Sequence, residues 1–206
     1  MVVLLQQQLQ PIWAITTAAI ILKEKLHKNF LFWALVALIA AYFVTFKDLT
    51  VNLGTGKGTL MAGILALSAG LAWGSSTAIS KYVLNKVSFL TGTALRFYLA
   101  PIFALFYVVI SRQTPLLFTL NPNQWLTLLI ITFSTGLVAL AIYYYGLKKT
   151  PARVTTLCEL VWPASAVLID YFYYHKTLSM TQIFGIARLF LAIYKVELHG
   201  EPIRME

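Results

Sequence analysis

The stretch from Trp125 to Leu147, "WLTLLIITFSTGLVALAIYYYGL", contains no charged side chain. A helix that crosses a bilayer needs about 20 mostly apolar residues, because each residue advances it by roughly 1.5 Å through a hydrocarbon layer about 30 Å thick. The stretch meets that length as a continuous apolar run, without the stripe of a helix packed on a soluble core, and reads as a membrane span. The same reading extends outward to the runs 2–22, 30–46, 60–80, 89–111, 154–174 and 183–194, the last of which is short and interrupted by Arg188. Hydrophobic residues make up 59% of the chain and charged residues 11%, where a soluble domain carries about a quarter charged. The expected fold is all-α: a multi-pass transmembrane helix bundle of about seven helices.

The segments between the runs support this reading. "KEKLHKN" (23–29), "KDLTVNLGTGKG" (47–58), "RQTPLLFTLNPNQ" (112–124) and "KKTPAR" (148–153) gather charge, glycine, proline and asparagine, the chemistry of turns. Much of the net charge of +9 falls in these connections, which membrane topology explains better than a phosphate-binding face; no nucleic-acid partner is expected. Lys23, Lys25 and Lys28, then Lys81 and Lys86, then Lys148, Lys149 and Arg153 occupy alternate connections, which are therefore expected on the cytoplasmic side. The intervening ones offer Lys47 and Lys57, Arg112 and Lys176. This orientation places the start of the chain outside, without a basic leader of the secretory kind, and leads to the expectation that a portion upstream is missing.

An internal repeat adds a constraint. "PIWAITTAAIILKEKLHKNFLFW" from Pro11 aligns with "PASAVLIDYFYYHKTLSMTQIFG" from Pro163 at one constant offset, on which Pro11, Ala14, Leu26, Phe32, Ala40, Tyr42 and Val44 meet identical residues. The connection after the first copy is rich in lysine and the one after the second holds only Lys176 and His175. Loop charge thus assigns the two copies opposite orientations, as in inverted-repeat transporters.

At this point the chain resembles the drug/metabolite transporter superfamily, specifically proteins of the EamA type. The residues that carry the resemblance are "LQPIWAITTAAIILKEKL" (9–26), "AWGSSTAISKYVL" (72–84), "TALRFYLAP" (93–101), "YYYGLKKTPARVTTLCELVWP" (143–163) and "TLSMTQIFG" (177–185). The resemblance implies ten helices in two inverted five-helix repeats around a central path. Residues 1–48 would be the last two helices of the first repeat and 58–198 the five of the second, a partial inverted repeat lacking the first three helices. It also implies a transporter in the cell membrane that moves a small organic solute, metabolite or drug, by alternating access, with proton coupling and without a cofactor. The alternative is a truncated or split polypeptide without transport of its own, which needs a partner chain or a homo-oligomer to supply the missing helices. Arg188 and Lys195 depart from the usually apolar final helix of the family.

Glu159 is the first candidate site residue. A carboxylate within a span costs about 2.5–3.5 kcal/mol on insertion scales, so it is expected to face a cavity or a partner. It lies roughly 9 Å along the helix from Arg153, and Arg96 lies about as deep in its own helix, which makes Arg96 the expected partner. Glu159 then binds a proton or a cationic group of the solute; a static ion pair, or an arginine snorkelling to headgroups, is the structural alternative. Trp73 and Trp162 are candidates for stacking on the solute, while Trp13 and Tyr143, Tyr144 and Tyr145 also fit interface anchoring. Pro11 and Pro163 are candidate helix kinks, where freed carbonyls can line a cavity. Ala62, Ala66, Gly70, Gly74 and Ala78 place small residues on one face of the third span for close helix contact.

Other chemistries fit poorly. "GTGKGT" (54–59) fails the phosphate-loop pattern, since Val51 replaces its first glycine and Gly58 its hydroxyl residue. His27, His175 and His199 stand at or beyond helix ends and form no metal-binding spacing. No nucleophilic serine motif occurs, so an enzyme is not expected, and the lone Cys158 excludes an internal disulfide.

Overall fold

A computed structural model of the chain describes residues 9–46, 59–117 and 119–198. The regular structure among them is helical: α1 (Gln10–Ile21), α2 (Lys28–Thr45), α3 (Thr59–Leu84), α4 (Phe89–Ile110), the single turn α5 (Thr114–Leu117), α6 (Pro122–Ile131), a π-helical segment (Thr132–Val138), α7 (Ala139–Lys149), α8 (Ala152–Cys158), α9 (Val161–Tyr174) and α10 (Met180–Leu198). Lys47, Gln7, His199 and nearly all of the "GTGKGT" loop lie outside the described residues. Among the described residues, five segments are long and apolar enough to cross a membrane: Lys28–Thr45, Met61–Leu84, Phe89–Ile110, Pro122–Lys149 and Ala152–Tyr174. The protein is an integral, multi-pass membrane protein of the all-α class. α10 is helical beyond the expected 183–194 but carries Arg188, Lys195 and Glu197.

Local chemistry sets the helix ends. Ser88 accepts a hydrogen bond from the Thr91 amide at 3.0 Å and starts α4. Asn121 and Gln124 form a reciprocal capping box ahead of α6, with Pro122 in the first turn, where its missing N–H costs nothing. Lys23, Arg112 and His175 adopt φ of 54°, 55° and 51°, left-handed conformations that stop α1, α4 and α9.

The chain divides into two compact units. One combines Met1–Tyr82 with Thr150–Glu206. Its main core packs α2 against α10, with Ala37, Ala41 and Val44 meeting Leu189, Ala192 and Val196. The helices run antiparallel: a Cβ on Gly185, near the start of α10, would lie 2.9 Å from Phe43 Cβ and 3.0 Å from both Ala40 O and Val44 N, near the end of α2. Only glycine allows that approach. α1 packs against α8 in the same unit, and α2 against α10, its counterpart in the repeat alignment. Ala18, Ala78 and Ala152 close the end of this unit where α1 and α3 finish and α8 begins, which brings connections expected on one membrane face together. The sequence reading ended the third span at residue 80; α3 instead runs to Leu84, and Lys81, expected among the loop charges, is a helical residue only 3% exposed.

The other unit, Val83–Lys149, packs α4 against α7 around Leu84, Tyr144 and Leu147. Lys148 Nζ donates to Val87 O at 2.7 Å and fastens the end of α7 to the start of α4. α6 and the π segment bury none of their residues within the chain, as expected where apolar side chains are solvated by lipid.

Candidate functional site

The span Ala152–Tyr174 is broken at Glu159. Proline has no N–H, so Pro163 cannot donate to the carbonyl of Glu159 four residues earlier, and its ring crowds that carbonyl. The chain tightens instead: Leu160 N–H donates to Leu157 O at 3.1 Å and Trp162 N–H donates to Glu159 O at 3.0 Å. Glu159 and Leu160 form the turn between α8 and α9. The regular mid-helix position expected for Glu159 is therefore corrected to a break, caused by Pro163. Pro11, by contrast, stands in the first turn of α1 as described, where proline requires no kink.

Two helices of the same unit supply partners for the Glu159 carboxylate. Gln10 Nε2 of α1 donates to Oε2 at 2.7 Å, and Thr77 Oγ1 of α3 donates to Oε1 at 3.4 Å. Gln10 reaches the site because α1 lies directly on α3: a Cβ on Gly74 would stand 2.6 Å from Gln10 O, 3.0 Å from Ala14 N and 3.1 Å from Trp13 Cβ. The small-residue face read from the sequence thus makes a helix contact at Gly74, and that contact positions a polar side chain. Thr17 and Ser75 hydroxyls add a further α1–α3 hydrogen bond of 3.2 Å.

Unsatisfied polar groups flank this cluster. The indole N–H of Trp13 and the hydroxyl of Thr156 are buried with no hydrogen-bond partner among the described residues. Trp13 follows Gln10 by three residues on α1 and Thr156 precedes Glu159 by three on α8, spacings that share a helix face. An orphaned buried donor costs about 1–3 kcal/mol, and Arg153 Nε is a third such group.

A second polar lock closes the basic end of this unit. Glu24 accepts hydrogen bonds from the amides of Ala152 at 2.7 Å and Arg153 at 3.1 Å, and its carboxylate lies 3.8 Å from the Arg153 guanidinium, with both side chains largely buried. The Arg153 guanidinium also covers the Phe30 ring at 5.5 Å.

The remaining sequence candidates have surroundings of their own. Arg96 is exposed in the other unit, where its Nη1 donates to Tyr144 Oη at 3.3 Å. Trp73 and Trp162 are 58% and 71% exposed. Asp170 pairs with Lys176 at 2.7 Å near the end of α9. Among the described residues, no group of three His, Cys, Asp or Glu side chains is gathered to hold a metal ion. Gln10, Thr77, Lys81 and Glu24 were not singled out from the sequence; the small-residue face on α3 was the one signal pointing toward the contact that gathers the first two.

Residues 60–197 match the EamA-like transporter family. The chain is 34% identical over 195 residues to the riboflavin transporter ImpX of Fusobacterium nucleatum subsp. nucleatum, an alignment covering 95% of this chain and 65% of that protein. It is 26% identical over 184 residues to an uncharacterized transporter of Clostridium kluyveri, covering 85% of this chain and 56% of that protein. The chain thus spans less than two thirds of the length of either relative. No solved structure matches it.

Proposed function

We propose, from the premise that the chain belongs to the EamA-like transporter family, that it moves a small organic solute across the membrane and that riboflavin, or a flat heteroaromatic metabolite like it, is that solute. The observation that carries this reading is the Glu159–Gln10–Thr77 cluster at the break between α8 and α9, flanked by the unsatisfied donors of Trp13 and Thr156. A solute of this class presents carbonyls and hydroxyls, which suit the Trp13, Gln10 and Thr156 donors, and an imide N–H, which suits the Glu159 carboxylate.

The broken span is the hinge of alternating access. A helix interrupted at a proline bends about the interruption at little cost in backbone hydrogen bonds, and Trp13 and Thr156 gain partners only when the cluster opens to the solute. Within the cluster Glu159 is the group that can take up and release a proton, and it is the coupling residue of this mechanism. Trp73 and Trp162, in the same unit, offer aromatic faces.

The test is uptake of labelled riboflavin by cells unable to make it, with and without expression of the chain. Expression is expected to raise uptake, and Glu159→Gln to lower it at least tenfold and to flatten its dependence on external pH. Uptake that is indifferent to expression removes the solute assignment; uptake in Glu159→Gln with its pH profile intact removes the coupling role.

A second reading has its own support. α4 and α6, with the π segment, leave nearly all of their surface outside the chain's core. A second copy or a partner chain covering part of that surface would complete the path. Chemical cross-linking in membranes distinguishes the two, with a strictly monomeric, transport-competent chain ruling out the partner.

A further inference from the structure

The geometry points to Lys81 as the counter-charge of Glu159, making a site that is neutral as a whole and selects uncharged solutes over cations. The inference deepens the proposed function and rests on its placement of the solute at Glu159.

Lys81 is 3% exposed, inside a helix, in a chain whose interior is apolar. An ammonium so placed is retained only beside a carboxylate and further acceptors, since removing it from water costs several kcal/mol. Its position identifies the carboxylate. Thr77, also 3% exposed, lies one turn earlier on the same face of α3, and its hydroxyl is the group 3.4 Å from Glu159 Oε1. Long side chains on a helix lean back over the preceding turn, which for Lys81 is the turn that carries Thr77. A turn advances about 5.4 Å, within the span of a lysine side chain. The other buried carboxylate at this end, Glu24, is already held by the Arg153 guanidinium and two backbone amides, and Asp170 is held by Lys176.

The charge bookkeeping has a consequence for specificity. Glu159 alone in this setting would concentrate cations, as an interior carboxylate does when no protein cation balances it. With Lys81 beside it the pair presents a dipole, and a solute must exchange hydrogen bonds with it without bringing net charge. Riboflavin, uncharged at neutral pH, meets that condition.

The experiment measures ligand binding to the purified full chain in lipid nanodiscs, with methyltriphenylphosphonium as a cation probe and naphthalene-2-sulfonate as an anion probe. Lys81→Met is expected to bind the cation at least tenfold more tightly than the unsubstituted chain, and Glu159→Gln to bind the anion at least tenfold more tightly. The double variant K81M/E159Q is expected to lose both gains, and Lys81→Arg to exclude the cation as before. A Lys81→Met variant with no gain, or gains that persist in the double variant, overturns the pairing. The anion arm decides the matter if Lys81→Met fails to fold. Neither arm uses riboflavin itself, so a chain that transports no riboflavin but shows both gains refutes the solute assignment and leaves the pair standing.

Discussion

Substituting Gly74 by alanine tests whether helix packing sets the geometry of the Glu159 cluster. The added Cβ would stand 2.6 Å from Gln10 O, and moving that contact to the 3.4 Å of ordinary van der Waals distance requires α1 and α3 to separate by about 0.8 Å. The obstruction is backbone, so no rotamer change relieves it. Overpacking of this kind costs about 1–3 kcal/mol, which melting of the purified protein in detergent would register. The same displacement carries Gln10 away from Glu159: a hydrogen bond of 2.7 Å becomes one near 3.5 Å, beyond useful geometry. A hydrogen bond to a charged group is worth about 1.5–3 kcal/mol, so solute affinity that depends on this cluster should fall by roughly tenfold or more. Gly185→Ala is the control, because it strains the α2–α10 contact to a similar degree without touching Gln10. Both variants should melt earlier, and uptake normalised to protein in the membrane should fall far more for Gly74→Ala. Equal uptake in the two variants would refute the link between the α1–α3 contact and the site, and unchanged melting of Gly74→Ala would refute the contact itself.

Three further outcomes follow from named contacts. Glu24→Ala should lower stability by about 3–5 kcal/mol, because it leaves the buried Arg153 guanidinium and two amides without their acceptor; Glu24→Gln, which keeps an acceptor, should lose less, as read from melting and membrane yield. Lys176→Ala should change stability by less than about 1 kcal/mol, since its pair with Asp170 is 63% and 43% exposed; a larger shift in melting would show that this pair has a role beyond the surface. Pro163→Ala restores the residue-163 N–H that a regular helix would direct to Glu159 O, and should leave stability equal or higher while cutting uptake several-fold. Undiminished uptake in that variant would show that the break does not serve movement.

The helices were legible in the sequence because a bilayer demands length and apolarity, and runs such as 89–111 and 125–147 state both directly. The neighbours of each helix were far less legible. Lipid-facing and helix-facing positions in a membrane are both apolar, so hydropathy does not separate Ala37, fully buried against α10, from Leu35, which is 56% exposed. Glu159 stood out because a charge in an apolar run is costly wherever it points. Its partner Gln10 did not, because a glutamine near the start of a run reads as a helix end until α1 is laid on α3. Lys81 was assigned to a loop since positive charge normally closes a span, and the extra turn of α3 that buries it has no signature in hydropathy. Glu24 was one charge in a basic connection, and its function depends on amides 128 and 129 positions away.

The placement of the cluster has a physical reason in the backbone. A backbone break within a bilayer must be surrounded by protein, since lipid offers no hydrogen bonds to a freed carbonyl or an interrupted turn. Pro163 creates the break between α8 and α9, and α1 lies against α8. That contact brings Gln10, at the start of α1, to Glu159, well inside the span from Arg153. Gly74 then lets α3 close on the same point with Thr77. The break, the carboxylate and the small-residue contact are therefore one device: proline opens the ladder, the opened turn exposes polar groups, and the neighbouring helices α1 and α3 are near enough to satisfy them. Under the proposed function, such a device has hydrogen-bond partners to exchange when it opens, which is what alternating access would require of it.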